Sequence, residues 1–422
     1  MKCRNCKNQK FKKIINIGSQ PVSSKTFKKK ISLKSYPLDL FKCNKCDLIQ
    51  LSKAAPPGVM YGSGYGYWTS LSRLMIDHMK KKVNKIKLKK SARVLDIGCS
   101  DPTFLELLKS KNKNLELFAV DPSSEKFKGS FEKKNINLIV DYFSKSVINN
   151  FCKVKKIKSK KFSLISSFAM FYDINDPNKF CGDINKLLSN KGMWIVEFSY
   201  FPLLIKNLTY DQINHEHVTY YTLNTFKTIL DKNGLKIVDV NFNEINGGSA
   251  EVKVVKKQNK IRSNIIKIKK ILEEEKLINF DTYKKFNLRL QNVKKVINFF
   301  LRNNKKKVIG YGASTKGNII LNHCKIKSNL LKFIADGNSK KWNRYTAGSN
   351  IKIISKEKMR KLKPKYLFVL IWSFRSEVIK QEKSFILNGG KLVLPLPIFH
   401  IIDKENYKYF LNEKLSTLGH EL

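Results

Sequence analysis

RVLDIGCSDPTFLELL, residues Arg93 to Leu108, decides how the rest of the chain is read. Val94, Leu95 and Ile97 make a short apolar run that stops at Gly98. Cys99, Ser100, Asp101 and Pro102 do not extend a central strand, and Pro102 suits the first turn of a helix, where a missing N–H costs nothing. Phe104, Leu105, Leu107 and Leu108 then line one helical face. The stretch predicts strand, tight turn and helix. A second apolar run, Leu117 to Val120, ends in Asp121 about one βαβ unit later. This is the layout of a nucleotide-type site at the carboxyl end of a parallel sheet, with an acid placed for ribose hydroxyls.

What the turn lacks narrows the ligand. A dinucleotide fingerprint needs three glycines so that backbone N–H groups approach a pyrophosphate. Here the order is Gly98-Cys99-Ser100-Asp101-Pro102, with a single glycine. S-adenosylmethionine (SAM) carries no phosphate, and the acids Asp96 and Asp101 suit a cationic sulfonium and an α-amino group. The stretch resembles the first motif of class I methyltransferases, usually D-x-G-x-G-x-G, with Ser100 and Pro102 where that family has small residues or glycine. The alternative is an ordinary βα turn with no ligand.

Further strands are expected at Asn137 to Val140, ending at Asp141, a candidate partner for the adenine amino group, and at Phe162 to Phe168 and Met193 to Phe198. Ala169 to Asp173 follows at the rim of the cleft. Leu235 to Phe242 and Ala250 to Val255, around Asn246-Gly247-Gly248, read as a closing antiparallel pair. Alternating helices and strands in this order argue a doubly wound sheet.

The chain is 422 residues long with a formal net charge of +50, which invites a nucleic-acid reading. The lysines, however, are spread throughout, with no basic arm and no interleaving of aromatic and basic residues, so no nucleic-acid partner is expected. A positive field still draws anionic small substrates. No run approaches the ~18 apolar residues that span a membrane, and MKCRNCKNQK has no hydrophobic signal core. A cytoplasmic protein with no membrane partner is expected, and nothing calls for more than a monomer.

Cys3-Arg4-Asn5-Cys6 and Cys43-Asn44-Lys45-Cys46 are two C-x-x-C knuckles around a segment that folds back as a ribbon. Four thiolates so paired suit tetrahedral, structural zinc, because so small a segment has too little core of its own. Redox pairs and unliganded thiols are the alternatives. Then comes Tyr61-Gly62-Ser63-Gly64-Tyr65-Gly66-Tyr67-Trp68, where glycines allow close approach and tyrosines offer ring and hydroxyl, unless the loop is only a linker.

Two of six histidines flank a glutamate in Asn214-His215-Glu216-His217. On an extended segment both rings point one way and Glu216 the other. A metal there lacks a third ligand nearby, and a surface loop is the plain alternative; a general base is preferred, because imidazole titrates near neutral pH. Beyond a charged helical stretch, Val308 to Asn318 repeats strand, glycine turn and helix start, with Asp336 closing the next strand. Ser314, Lys316 and Asn318 at a helix amino terminus make an anion cradle; NAD binding and an unliganded cap are its rivals. The expected organisation is 1–58 zinc-binding domain, 59–256 methyltransferase-like domain, 257–304 helical connector and 305–422 α/β domain. The fold class is α/β, Rossmann-like, with a second Rossmann-like domain at the C-terminal end.

Taken together, the knuckles, Tyr61 to Tyr67, Val94 to Gly98, Ala169 to Asp173, His215 to His217, Asn246 to Gly248 and Gly310 to Asn318 resemble the three-domain SAM-dependent methyltransferases that include nucleotide-sugar C-methyltransferases. That resemblance implies a dTDP-4-keto-deoxyhexose substrate methylated beside its ketone. It implies His217 as base with Glu216 orienting the imidazole, and Tyr65 or Tyr67 bonding the enolate. Asp96, Gly98, Ser100, Asp121 and Asp141 would hold SAM; Asn214 and His215 would meet the sugar and Ser314, Lys316 and Asn318 the nucleotide end. Relatives often carry tyrosine where this chain has Asn214 and arginine where it has Trp68. O- or N-methylation of another metabolite, and a non-catalytic zinc-containing binding protein, are the competing functions.

Overall fold

The computed structural model describes residues 1–56 and 68–413, which build three sheets. In chain order the strands are β1 (Phe11–Pro21), β2 (Thr26–Phe27), β3 (Ser35–Cys43), β4 (Ile49–Leu51), β5 (Arg93–Ile97), β6 (Glu116–Val120) and β7 (Asn137–Ile139). They continue as β8 (Phe162–Phe168), β9 (Leu188–Ser199), β10 (Thr219–Tyr220), β11 (Leu235–Asn243) and β12 (Ser249–Lys256). The last are β13 (Val308–Tyr311), β14 (Phe333–Ala335), β15 (Tyr345–Thr346), β16 (Lys352–Ile354), β17 (Tyr366–Val369), β18 (Lys391–Leu394) and β19 (His400–Ile402).

The middle sheet runs β11-β12-β9-β8-β5-β6-β7. β5 pairs in parallel with β6 on one side and β8 on the other, so the order reverses at its carboxyl end, where open α/β sheets bind ligands. Both faces of β5 are covered, which is why Val94, Leu95 and Ile97 form an unbroken apolar run. β12 alone runs antiparallel, against β9 and β11. The helix after β5 is Thr103–Lys111; Pro102 stands at its N-cap, one residue ahead of the first turn.

The C-terminal sheet runs β19-β18-β17-β13-β14-β16-β15-β2 and has its own reversal at β13. Its first crossover helix, Thr315–His323, starts where the glycine turn ends. Two connector helices, Ile265–Lys276 and Phe280–Asn303, are divided at Asn279, whose side chain caps the second.

Sequence periodicity does not show that the domains exchange strands. β2, from the N-terminal region, pairs with β15 as the edge of the C-terminal sheet. β10, directly after His217, pairs with β4 as the edge of the N-terminal sheet β1-β3-β4-β10. One apolar cluster accordingly runs from Ile14, Leu38 and Leu40 through Phe201 to Ile213 into Val308 to Tyr311. Among the described residues no helix is long and apolar enough to cross a membrane.

Candidate active site and zinc centre

The β5 turn is held by its acids. Gly98, at φ +69°, donates its N–H to Val120 at 2.9 Å, and Ser100, at φ +61°, donates its N–H to Asp121 Oδ2 at 2.8 Å. A serine therefore occupies a left-handed position that favours glycine, anchored by the acid that ends β6. Asp121 Oδ1 also accepts from the Ser123 N–H and hydroxyl, both at 2.6 Å. Asp101 accepts from the N–H groups of Ser70 and Thr103. Asp96 is buried against the Ser166 hydroxyl at 2.7 Å; burial, then the charges of Asp121 and Asp101, push its pKa up to about 7. Three carboxylates crowd one turn, an arrangement that a cation relieves and an anion worsens. The site fits the sulfonium and amino groups of SAM, with Asp96, Gly98, Ser100 and Asp121 lining the turn and Asp141 exposed after β7.

The opposite wall of the turn leads to the histidines. A Cβ on Gly98 would stand 2.7 Å from Met170 Cγ, so Met170 packs directly on the glycine. Two residues on, the Tyr172 ring lies 3.9 Å, centroid to centroid, from the His217 imidazole. His217 is 7% exposed, and its Nδ1 is buried without a hydrogen-bond partner. Burial and then the charge of Lys316 lower its pKa to about 3, against the raising effect of the Gln212 backbone carbonyl.

Lys316 reaches this cluster from the C-terminal domain. Its Nζ donates to Asn246 Oδ1 at 2.6 Å, and burial lowers its pKa to about 8 while Asp211 raises it. Asn246 belongs to the Asn246-Gly247-Gly248 turn, whose backbone carbonyl accepts from Gln212 Nε2. Asp211 Oδ2 accepts from Trp372 Nε1 at 2.8 Å, and burial pushes Asp211 up to about 6. Asp211, Gln212 and Trp372 carry no motif and went unread in the sequence; the one available signal was a polar pair preceding the histidines. Gly247 is needed here, since a Cβ would come within 2.6 Å of Thr209 and 2.9 Å of Trp372.

Two expectations for the His-Glu-His segment need correction. It is not extended: Asn214 Oδ1 accepts the N–H groups of both Glu216 and His217, a turn that sends the two rings to different neighbours. His215 Nε2 lies 3.3 Å from the Tyr36 carbonyl of the N-terminal domain. Nor does a hydrogen bond join Glu216 to the imidazole; its carboxyl lies by Ser24 and Asp173, and burial pushes it up to about 7. Ser314 caps its own helix by accepting from Gly317, and Asn318 Nδ2 donates to the Ser23 carbonyl. Tyr65 and Tyr67 lie outside the described residues.

At the N terminus the four sulfurs of Cys3, Cys6, Cys43 and Cys46 lie within 4.8 Å of one another. Cys3 to Cys46 is 3.5 Å and Cys6 to Cys43 is 3.6 Å. A tetrahedron with Zn–S of about 2.3 Å has edges of about 3.8 Å, so the set fits zinc with little adjustment. Four thiolates fill the coordination sphere and leave no open position, which makes the zinc structural.

The chain is similar to known proteins along most of its length. Residues 3–61 match a family model described as "Putative zinc binding domain", 62–240 one described as "Methyltransferase domain", and 244–397 one described as "C-methyltransferase C-terminal domain". The C-methyltransferase NovU of Streptomyces niveus is 27% identical over 416 residues, 96% of this chain and 97% of that one. Among solved structures, protein PH0226 from Pyrococcus horikoshii OT3 matches 45% of this chain and 94% of its own at 15% identity and a TM-score of 0.36. A SAM-dependent methyltransferase from Clostridium acetobutylicum matches 43% and 89% at 17% identity and a TM-score of 0.32. In order along its length the chain matches a zinc-binding domain, a methyltransferase domain and a C-methyltransferase C-terminal domain, the three-domain build of a SAM-dependent methyltransferase.

Proposed function

We propose that the protein methylates the carbon adjacent to the ketone of a nucleotide-linked keto-deoxysugar, with His217 as general base. A carbon becomes a nucleophile only after losing a proton, and such a proton is acidic beside a carbonyl. SAM, bound at the β5 turn, supplies the methyl group as an electrophile. The supporting observation is the His217 ring: neutral, packed on Tyr172 next to the Met170–Gly98 contact, with Nδ1 free to accept a proton. The Gln212 backbone, rather than Glu216, is the neighbour that raises the basicity of the imidazole.

A pKa of about 3 describes a weak base, and substrate corrects it. The second-largest cause of the depression is the positive charge of Lys316. An oxygen that turns anionic as the proton leaves offsets that charge, so the imidazole gains basicity when it is needed. The resemblance to nucleotide-sugar enzymes and the chain's positive field favour an anionic, nucleotide-linked substrate.

The test is proton NMR in D2O with a dTDP-4-keto-6-deoxyhexose. One sugar proton exchanges with solvent without SAM, and with SAM the product carries a carbon-bound methyl. His217→Ala abolishes both. A heteroatom-bound methyl, or full exchange in His217→Ala, refutes the proposal.

A further inference from the structure

We propose that Lys316, supplied by the C-terminal domain, is a catalytic residue: its ammonium hydrogen-bonds the substrate oxygen that becomes anionic as His217 takes the proton. This rests on the keto-sugar assignment above and replaces the diphosphate role that the sequence suggested for Lys316.

The geometry carries it. Lys316 opens the helix Thr315–His323, and its stem leads away from the helix N-terminus into the cluster built by the methyltransferase domain. Among the described residues, its one hydrogen bond is to Asn246 Oδ1, so two of its three N–H donors remain for a ligand. Asp211 is close enough to act on it electrostatically, yet the two make no ion pair within 4 Å. Trp372 Nε1 keeps Asp211 Oδ2 turned to itself, and Asp211 Oδ1 is buried without a partner. A lysine that merely closed the domain interface would sit in contact with the nearest carboxylate. This one is half-buried and held by a neutral amide, Asn246, whose own backbone carbonyl takes Gln212 of the loop that carries His217.

Ser314 and Asn318, the other members of the supposed anion cradle, are engaged within the protein, by the Gly317 N–H and the Ser23 carbonyl. With Lys316 Nζ held at Asn246, a diphosphate at this turn would draw on the Ser314 hydroxyl and on Lys341, whose Nζ donates to the Ala313 carbonyl at 2.8 Å, and not on Lys316. A single developing negative charge matches one ammonium better. In the step itself, the C–H bond breaks and its proton passes to His217 Nδ1. The electron pair forms the enolate C=C while the carbonyl π pair moves to oxygen, where Lys316 donates a hydrogen bond and keeps its proton. When that pair forms the new C–C bond to the methyl group, the methyl–sulfur bond of SAM would break, S-adenosylhomocysteine would leave with its electrons, and the carbonyl would be restored.

The experiment measures solvent deuterium wash-in to a dTDP-4-keto-6-deoxyhexose at saturating concentration, alongside calorimetric binding of dTDP alone. Lys316→Met lowers wash-in by about a hundredfold or more, the scale seen when one oxyanion donor is removed, with dTDP affinity unchanged. Lys316→Ala regains part of the rate with ethylamine in the buffer, and a melting point close to wild type shows that the fold persists. Wash-in retained by Lys316→Met at saturation, or dTDP affinity lost in its place, overturns the assignment in favour of the nucleotide-holding role. If wild-type protein shows no wash-in, the keto-sugar assignment fails first and the role of Lys316 falls with it.

Discussion

Removing the zinc should disable a site to which the metal contributes no ligand chemistry. The first knuckle is tied to β4: the Arg4 N–H donates to Gln50 Oε1 at 2.9 Å and Arg4 Nη1 to the Leu51 carbonyl at 3.3 Å. β4 in turn holds the chain just after His217, through the Leu51 N–H to the Val218 carbonyl at 3.1 Å and the pairs Thr219 with Gln50 and Tyr220 with Ile49. His215 adds its contact with the Tyr36 carbonyl. At about 1 kcal/mol for each net hydrogen bond, these four ties hold the segment by roughly 4 kcal/mol. Zinc binding to such knuckles is worth about 10–16 kcal/mol, nearly all of it folding energy, so chelation unfolds the knuckles and releases the ties. A loss of roughly 4 kcal/mol corresponds to about a thousandfold in local opening, read as faster amide hydrogen exchange across residues 215–221. Mass-spectrometric exchange before and after chelation, with the metal counted, measures it; substrate deuterium wash-in should fall in parallel. Metal-free protein with unchanged protection over 215–221 would refute the coupling.

Glu197 is buried and accepts from Lys82 Nζ at 2.7 Å, His78 Nε2 at 3.0 Å and Asn243 Nδ2 at 2.7 Å; although burial opposes it, these partners lower its pKa to about 2. Its contribution is present above pH 4.5 and lost as pH falls through about 2, so Glu197→Gln should cost about 3 kcal/mol at pH 7 by urea denaturation, and a loss under 1 kcal/mol contradicts it. Glu216 has the opposite sign: its pKa is raised to about 7, so ionisation destabilises the fold as pH rises from about 4.5 to 7. Glu216→Gln should be neutral near pH 4.5 and stabilising by about 2–3 kcal/mol at pH 8, and a pH-independent difference counts against it. Gly98→Ala places a methyl at φ +69° and 2.7 Å from Met170 Cγ. It should cost about 1–3 kcal/mol in stability and weaken SAM at least tenfold by calorimetry, with partial recovery in the double variant with Met170→Ala.

The legible part of the fold was the part written in short-range pattern. Val94 to Gly98 and Leu117 to Asp121 declare parallel strands because burial on both faces leaves apolar runs that stop at a turn. The C-x-x-C pairs declare a metal knuckle because four thiolates in so small a segment have few other uses. β2 and β10 were not legible: two residues each, Thr26–Phe27 and Thr219–Tyr220, carry no period, and their pairing partners lie hundreds of residues away or in another domain. The same limit applied at the site. His217 was singled out through scarcity, as one of six histidines. Asp211 and Trp372 were not, because a buried acid bonded to an indole 161 positions on leaves no local trace.

Strand exchange explains why the cluster around His217 draws on all three domains. The methyltransferase domain holds the cofactor turn but lends β10 to the zinc-binding sheet, so the loop carrying His217 is pinned at one end by a domain outside the catalytic sheet. The N-terminal region lends β2 to the C-terminal sheet and sets Ser23 against Asn318, close to the helix that presents Lys316. Each exchange fixes a side chain by backbone bonds on a neighbouring domain rather than by a long, flexible loop of its own. A substrate that must meet a base, an ammonium and a methyl donor at once needs those groups pre-aligned, since misplacement by about 1 Å costs on the order of a hundredfold in rate. On the proposed mechanism, two-residue strands that add little stability supply that alignment, which ties the zinc knuckles, far away in sequence, to the placing of His217.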